Sequence, residues 1–231
     1  MRTRMVGEAL AAVVVMASAA WADIYLESKM SAEEGEKPVV MKQYYTADRM
    51  RMEMPQVVMI TRLDKGLMWV LMSEMKMYQE TTFEEMKRMV PKKKEEPKAP
   101  EVRVELTDQT QKIAGYEARL TKVWVDGKWM DWWVSPEVDV TDDFSKFAEK
   151  QAELMADVES GTGSKGFNEA LLQVKGFPLK QVYYSDEQGT KVQSVMEVIK
   201  VEKNALDEAL FEIPEGYQKF SMPQITPETQ K

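Results

Sequence analysis

The sequence predicts a mainly β fold of the α+β type, an open or half-closed antiparallel sheet crossed by one longer helix. Three observations carry that prediction. Apolar and charged residues alternate with period two through much of the chain. Several such runs are joined by turn residues of the hairpin kind. One stretch, between Phe144 and Val158, switches to helical spacing.

The alternation is clearest where Met50, Met52 and Met54 interleave with Arg49, Arg51 and Glu53, giving one apolar and one charged face. Pro55 interrupts this run. Val57 to Arg62 and Leu67 to Met72 are apolar runs separated by Leu63-Asp64-Lys65-Gly66, a hairpin in which Gly66 is free to take a positive φ. Lys76 to Glu80 reads as the next short strand. Thr82 and Glu85 have capping-box spacing and open a helical segment reaching about Met89.

Residues 91–100, a charged stretch bounded by Pro91 and Pro100, contain no large apolar side chain and read as an exposed loop. Strands resume at Val102, Val104 and Leu106. Tyr116, Ala118 and Leu120 alternate, and the phase then slips before Val123 and Val125, which predicts a bulge around Thr121-Lys122. Asp126-Gly127 is a turn leading into Trp129 to Val134, so this ribbon carries Trp124, Trp129, Trp132 and Trp133. Phe144, Phe147, Ala148, Leu154, Met155 and Val158 share a helical face that must lie on something apolar. Gly161 to Gly166 then reads as a flexible connection, because its glycine and lysine order does not match a phosphate-binding loop. The chain closes with strands over Leu179 to Tyr184 and Val192 to Val201, and a segment from Phe211 to Tyr217.

The N-terminus predicts export. Arg2 and Arg4 precede a short run of small and apolar residues from Ala9 to Ala20, and Ala20-Trp21-Ala22 offers small residues at the two positions a signal peptidase reads. Residues 1–22 are therefore expected to be a signal peptide, 23–220 a single β domain, and 221–231 a loose tail. No Cys stands at the cleavage site, so the expected product is periplasmic, soluble and not lipid-anchored, with no transmembrane segment.

Composition narrows the chemistry. The chain of 231 residues carries 31 Lys+Arg against 39 Asp+Glu, a net charge of -8, which argues against nucleic acid as a partner. It has neither His nor Cys, which removes Cys nucleophiles, Ser-His-Asp triads and thiolate or imidazole metal sites. No cofactor, protein-held metal or enzymatic activity is expected. The 19 methionines, 11 of them between Met41 and Met89, admit three readings. They are flexible core filler, the lining of a plastic apolar pocket, or thioether ligands for Cu(I).

Tyr44 to Met54, Ile60 to Leu71 with its Arg62-x-Asp64-Lys65-Gly66 hairpin, and Tyr78 in the following strand resemble the DUF4412 family of exported bacterial proteins. Ile113 to Leu120, Trp133 to Pro136 and Phe211 to Tyr217 resemble its later elements. That family is itself similar to the periplasmic lipoprotein carrier and its outer-membrane receptor. The resemblance implies a curved antiparallel half-barrel with covering helices, whose apolar cavity shelters a lipid, an acyl chain or an acylated protein. Met50, Met52, Trp69, Trp132, Phe144 and Phe147 are the expected pocket residues, on strand alternation and helix periodicity. Arg49, Arg51 and Arg62 are expected to be strand-face or cross-strand pairing residues, with head-group contact the alternative. The alternatives are an envelope interaction module with a filled core, or Met-based Cu(I) binding.

Overall fold

A computed structural model describes residues 23–32, 37–89, 100–138, 146–154, 164–186 and 189–220. The expected signal peptide, nearly all of the 91–100 loop and the tail fall outside them. The described residues form a 12-stranded sheet. In chain order the strands are β1 (Ile24–Ser31), β2 (Val39–Tyr45), β3 (Arg49–Glu53), β4 (Val57–Arg62), β5 (Leu67–Met72), β6 (Met77–Thr82), β7 (Val102–Ile113), β8 (Tyr116–Val125), β9 (Lys128–Ser135), β10 (Phe177–Tyr184), β11 (Val192–Lys203) and β12 (Gln218–Lys219). The helices are α1 (Phe83–Met89), α2 (146–154) and α3 (Ser164–Gln173), with a 3₁₀ turn at Glu208–Phe211. The spatial order is β12-β6-β5-β4-β3-β2-β1-β11-β10-β9-β8-β7. Every neighbouring pair is antiparallel except β12 with β6. The sheet is open, since β7 and β12 end it without meeting.

Local chemistry explains most junctions. Leu63 to Gly66 closes the β4–β5 hairpin with Gly66 at φ 66°, and Asp126-Gly127 closes β8–β9 with both residues at positive φ. At α1 the Thr82 hydroxyl accepts from Glu85 N, while the Glu85 carboxylate accepts from Thr82 N at 2.8 Å, the reciprocal box that the spacing predicts.

Curvature follows from which residues meet. Ile113 and Ala118 of β7 and β8 join Ile24, Leu26, Tyr45 and Met50 of β1 to β3 in one buried cluster. Strands at one end of the sheet share that core with strands from its middle only if the sheet curls over it. Phe83 and Met86 of α1 and Phe147 and Leu154 of α2 pack into the same cluster. The opposite face of β3 to β6 buries Val58, Ile60, Trp69 and Leu71 under Phe211 and the chain after β11.

Two readings need correction. The predicted bulge at Thr121-Lys122 is displaced, because β8 pairs with β9 in unbroken register from Arg119 to Val125. The irregularity lies on β7, between Leu106 and Thr110. Phase slips in the sequence because β8 is buried on both sides there. Ala118 joins the curled core, whereas Val123 packs beneath α3. The second correction concerns Gly161 to Gly166, since α3 begins at Ser164 and takes the end of that stretch into a helix.

Candidate functional site

The curled side of β2 to β6 is lined by methionine. Register alone places Met41, Met50, Met52, Met59, Met68, Met72 and Met77 on it. Tyr45 pairs with Met50, Met50 with Thr61 and Thr61 with Met68, while Met52 pairs with Met59 and Met72 with Met77. Of these seven, Met50 is buried and the other six are half-buried. Thioethers on unbranched stems fill irregular space and reshape with little cost. The face beneath Phe211 is built differently, from Val58, Ile60, Trp69 and Leu71, all sealed from solvent.

Over the methionine face lies α2. Phe147 is 2% exposed, and its ring meets that of Tyr45 edge-on, with centroids 5.7 Å apart. Gln43 Nε2 donates to the Tyr45 hydroxyl at 2.9 Å, and burial pushes that phenol well above the ordinary tyrosine range. The polar end of the ring is thus satisfied while its body stays in the apolar layer.

The predicted pocket residues do not form one lining. Met50, Met52 and Phe147 come together in the curled core. Trp69 is on the opposite face, buried with Phe211, and its Nε1 donates to Glu80 Oε2 at 2.9 Å. Trp132 is fully buried under α3, with its ring centroid 5.0 Å from that of Phe167. Its neighbour Trp133 packs into the curled core instead, as adjacent strand residues must when they point to opposite sides. Phe144 lies outside the described residues.

The arginines are structural. Arg62 is buried, and its guanidinium donates to both Asp64 oxygens at 2.8 and 2.6 Å, to Glu212 Oε1 and to the Phe211 carbonyl oxygen. Arg51 binds Glu53 and the Leu210 carbonyl oxygen, and Arg49 pairs with Glu208. These contacts pin the strap after β11 across β3 and β4. Hydrogen bonds from Arg62 hold the Asp64 carboxyl below the usual carboxylate range. At the far edge Lys219 Nζ donates to Glu80 Oε1 at 2.7 Å, and that bond with the one from Trp69 holds Glu80 below its ordinary value. Among the described residues, no three His, Cys, Asp or Glu side chains gather as a metal site, and no helix is long and apolar enough to cross a membrane.

The sheet is open, curled and mostly antiparallel, with α1 and α2 on its inner side and α3 on the other. The chain belongs to the family described as Domain of unknown function (DUF4412), whose model matches residues 24–217. Among curated proteins none matches the sequence. An uncharacterized conserved protein from Thermus thermophilus has a similar structure, with a TM-score of 0.50 at 13% identity over 87% of this chain and 91% of that one. That likeness shows the fold alone. MucB is similar at a TM-score of 0.44 and 10% identity, over 84% of this chain and 58% of its own. A domain described as a putative outer membrane lipoprotein-sorting protein, from Vibrio parahaemolyticus, scores 0.30 at 10% identity over 83% of this chain and 89% of its own.

Proposed function

We propose that the protein is an exported, non-catalytic carrier of the cell envelope that shelters an acyl chain, of a lipid or an acylated protein, against the methionine face of β2 to β6. The contrast between the two faces carries this reading. One is sealed with rigid residues beneath a strap. The other is lined by seven methionines, six of them half-buried, under α2. Flexible thioethers suit a guest of variable length, since the lining repacks around it. Entry requires α2 to lift, which costs the burial of Phe147 and its contact with Tyr45. The N-terminal pattern of Arg2, Arg4 and Ala20-Trp21-Ala22 supports export to the periplasm. The absence of His and Cys from the sequence supports a binding rather than a catalytic role.

Titration with a fluorescent fatty acid tests the reading. Saturable one-to-one uptake is expected, lost in Met52→Glu and retained in Trp69→Phe. No uptake by the wild type, or equal uptake by both variants, contradicts it and leaves a filled interaction module.

A second reading is favoured by the Met52–Met59 and Met72–Met77 cross-strand pairs, which bring thioethers together as a Cu(I) site requires. Competition with a colorimetric Cu(I) chelator separates the two. Chain binding predicts no copper retained, whereas a copper site predicts retention that Met52→Leu with Met59→Leu removes.

A further inference from the structure

On the other side of β9 from the methionine core, a pocket of about 570 Å³ opens between the end of α3 and strands β7 to β9. Its walls are apolar, formed by Val104, Leu106, Val134 and Val174. Leu106 is 71% exposed, a large side chain left at the mouth without cover. Deeper in, Thr121 is 1% exposed and its Oγ1 has no hydrogen-bond partner. The residue paired with Thr121 is Trp132, fully buried, whose Nε1 is also unpartnered. Each such orphan is unfavourable, since it gives up hydration without a partner in return. Two on directly paired positions mark a place where the fold leaves polar capacity unspent, which is a recurrent sign of a site.

The rim is charged with both signs. Arg119 and Lys175 line it together with Glu117 and Glu137. Among the described residues none of the four joins an ion pair; the Glu137 carboxylate accepts only from the Glu117 backbone N, at 3.4 Å. A ligand head of one sign meets repulsion from half of this rim, whereas a zwitterion satisfies both halves.

We propose that this pocket binds a single-chain amphiphile with a zwitterionic head, its chain against Val104, Leu106, Val134 and Val174, its linker oxygens within reach of Thr121 and Trp132 once α3 yields, and its head on Arg119, Lys175, Glu117 and Glu137. The volume lies in the range that holds one small ligand. This site is separate from the methionine face and does not rest on the carrier reading.

Calorimetry below the micellar concentration tests it, with lysophosphatidylethanolamine, lysophosphatidic acid and monoacylglycerol of one chain length. The zwitterion should bind about tenfold tighter than the neutral lipid, and Arg119→Glu and Glu117→Lys, both at exposed positions, should each remove about that factor. In Met52→Glu, which removes any chain held on the methionine face, this binding should persist with the same dependence on Arg119 and Glu117. Equal affinity for all three lipids, indifference to both charge reversals, or no binding at all overturns the proposal. Loss of binding in Met52→Glu with none in Arg119→Glu would place the lipid on the methionine face instead, refuting this pocket while leaving the carrier reading intact.

Discussion

Arg62 Nη1 donates to the carbonyl oxygen of Phe211 at 3.0 Å, across 149 residues of sequence. Through that bond the β4–β5 hairpin grips the strap that seals one side of the sheet, and the Phe211 side chain, 1% exposed, fills the space beneath. On the proposed carrier reading, the methionine side is then the one that opens.

Removing the plug should be costly. Phe211→Ala is expected to destabilise by about 3–5 kcal/mol, the range for emptying a buried aromatic site. Arg62→Met should cost less, about 1–3 kcal/mol, because its partners Asp64 and Glu212 keep partial contact with water. Urea unfolding checks both. A double-mutant cycle should show that the two losses do not add, since both release the same strap.

Acid should loosen the same grip. Asp64 titrates lower folded than unfolded, through its bonds from Arg62. Its contribution is therefore fully present above the unfolded value, about 3.9, and is lost as pH falls from there through the folded value. Glu212 acts in the same direction, the bonds from Arg62 and Lys65 outweighing an opposing desolvation. The urea midpoint should fall between about pH 5 and pH 3, and Arg62→Met should flatten that fall. An equally steep fall in the variant would assign it to other carboxylates.

The two aromatic neighbourhoods should separate in function. Phe147→Ala removes the ring that α2 places on Tyr45, so the helix should dock less firmly and ligand dissociation should quicken. Trp69→Phe removes the bond to Glu80, costing about 1 kcal/mol, and should leave ligand kinetics untouched. Stopped-flow displacement of a fluorescent fatty acid reads both.

A backbone position offers a third kind of test. Gly176 sits at φ 127°, and a Cβ there would lie 2.5 Å from the Ser135 carbonyl oxygen. Gly176→Ala should cost at least about 1–3 kcal/mol in thermal or urea unfolding, because the contact is with backbone that cannot swing aside.

Much of this fold is legible in the sequence, and the failures have physical causes. The β4–β5 hairpin and the capping box of α1 rest on short-range chemistry that survives into the structure, whereas the arginines bind Glu208, Leu210, Phe211 and Glu212 of the strap, 149 to 159 residues away, rather than a neighbouring strand. The face of Trp69 was also within reach. A four-residue turn pairs Arg62 with Leu67, hence Ile60 with Trp69 and Thr61 with Met68, which puts Trp69 opposite Met50. Strand β1 escapes notice because Ser28 stands where its alternation calls for a large apolar residue. Helix α3 carries Phe167, Ala170 and Leu171, with Val174 just past its end, at helical spacing, yet the glycines before it mask the start. The strap has no periodicity to read, since a 3₁₀ turn and two strand residues hold it by long-range contacts alone.

The most direct test of the central claim is native mass spectrometry of protein purified from the cell envelope without detergent, with lipid analysis of its organic extract. A one-to-one adduct is expected, whose extracted component carries an acyl chain and which Met52→Glu fails to retain. Bare protein that also refuses added fatty acid and lipopeptide would contradict it.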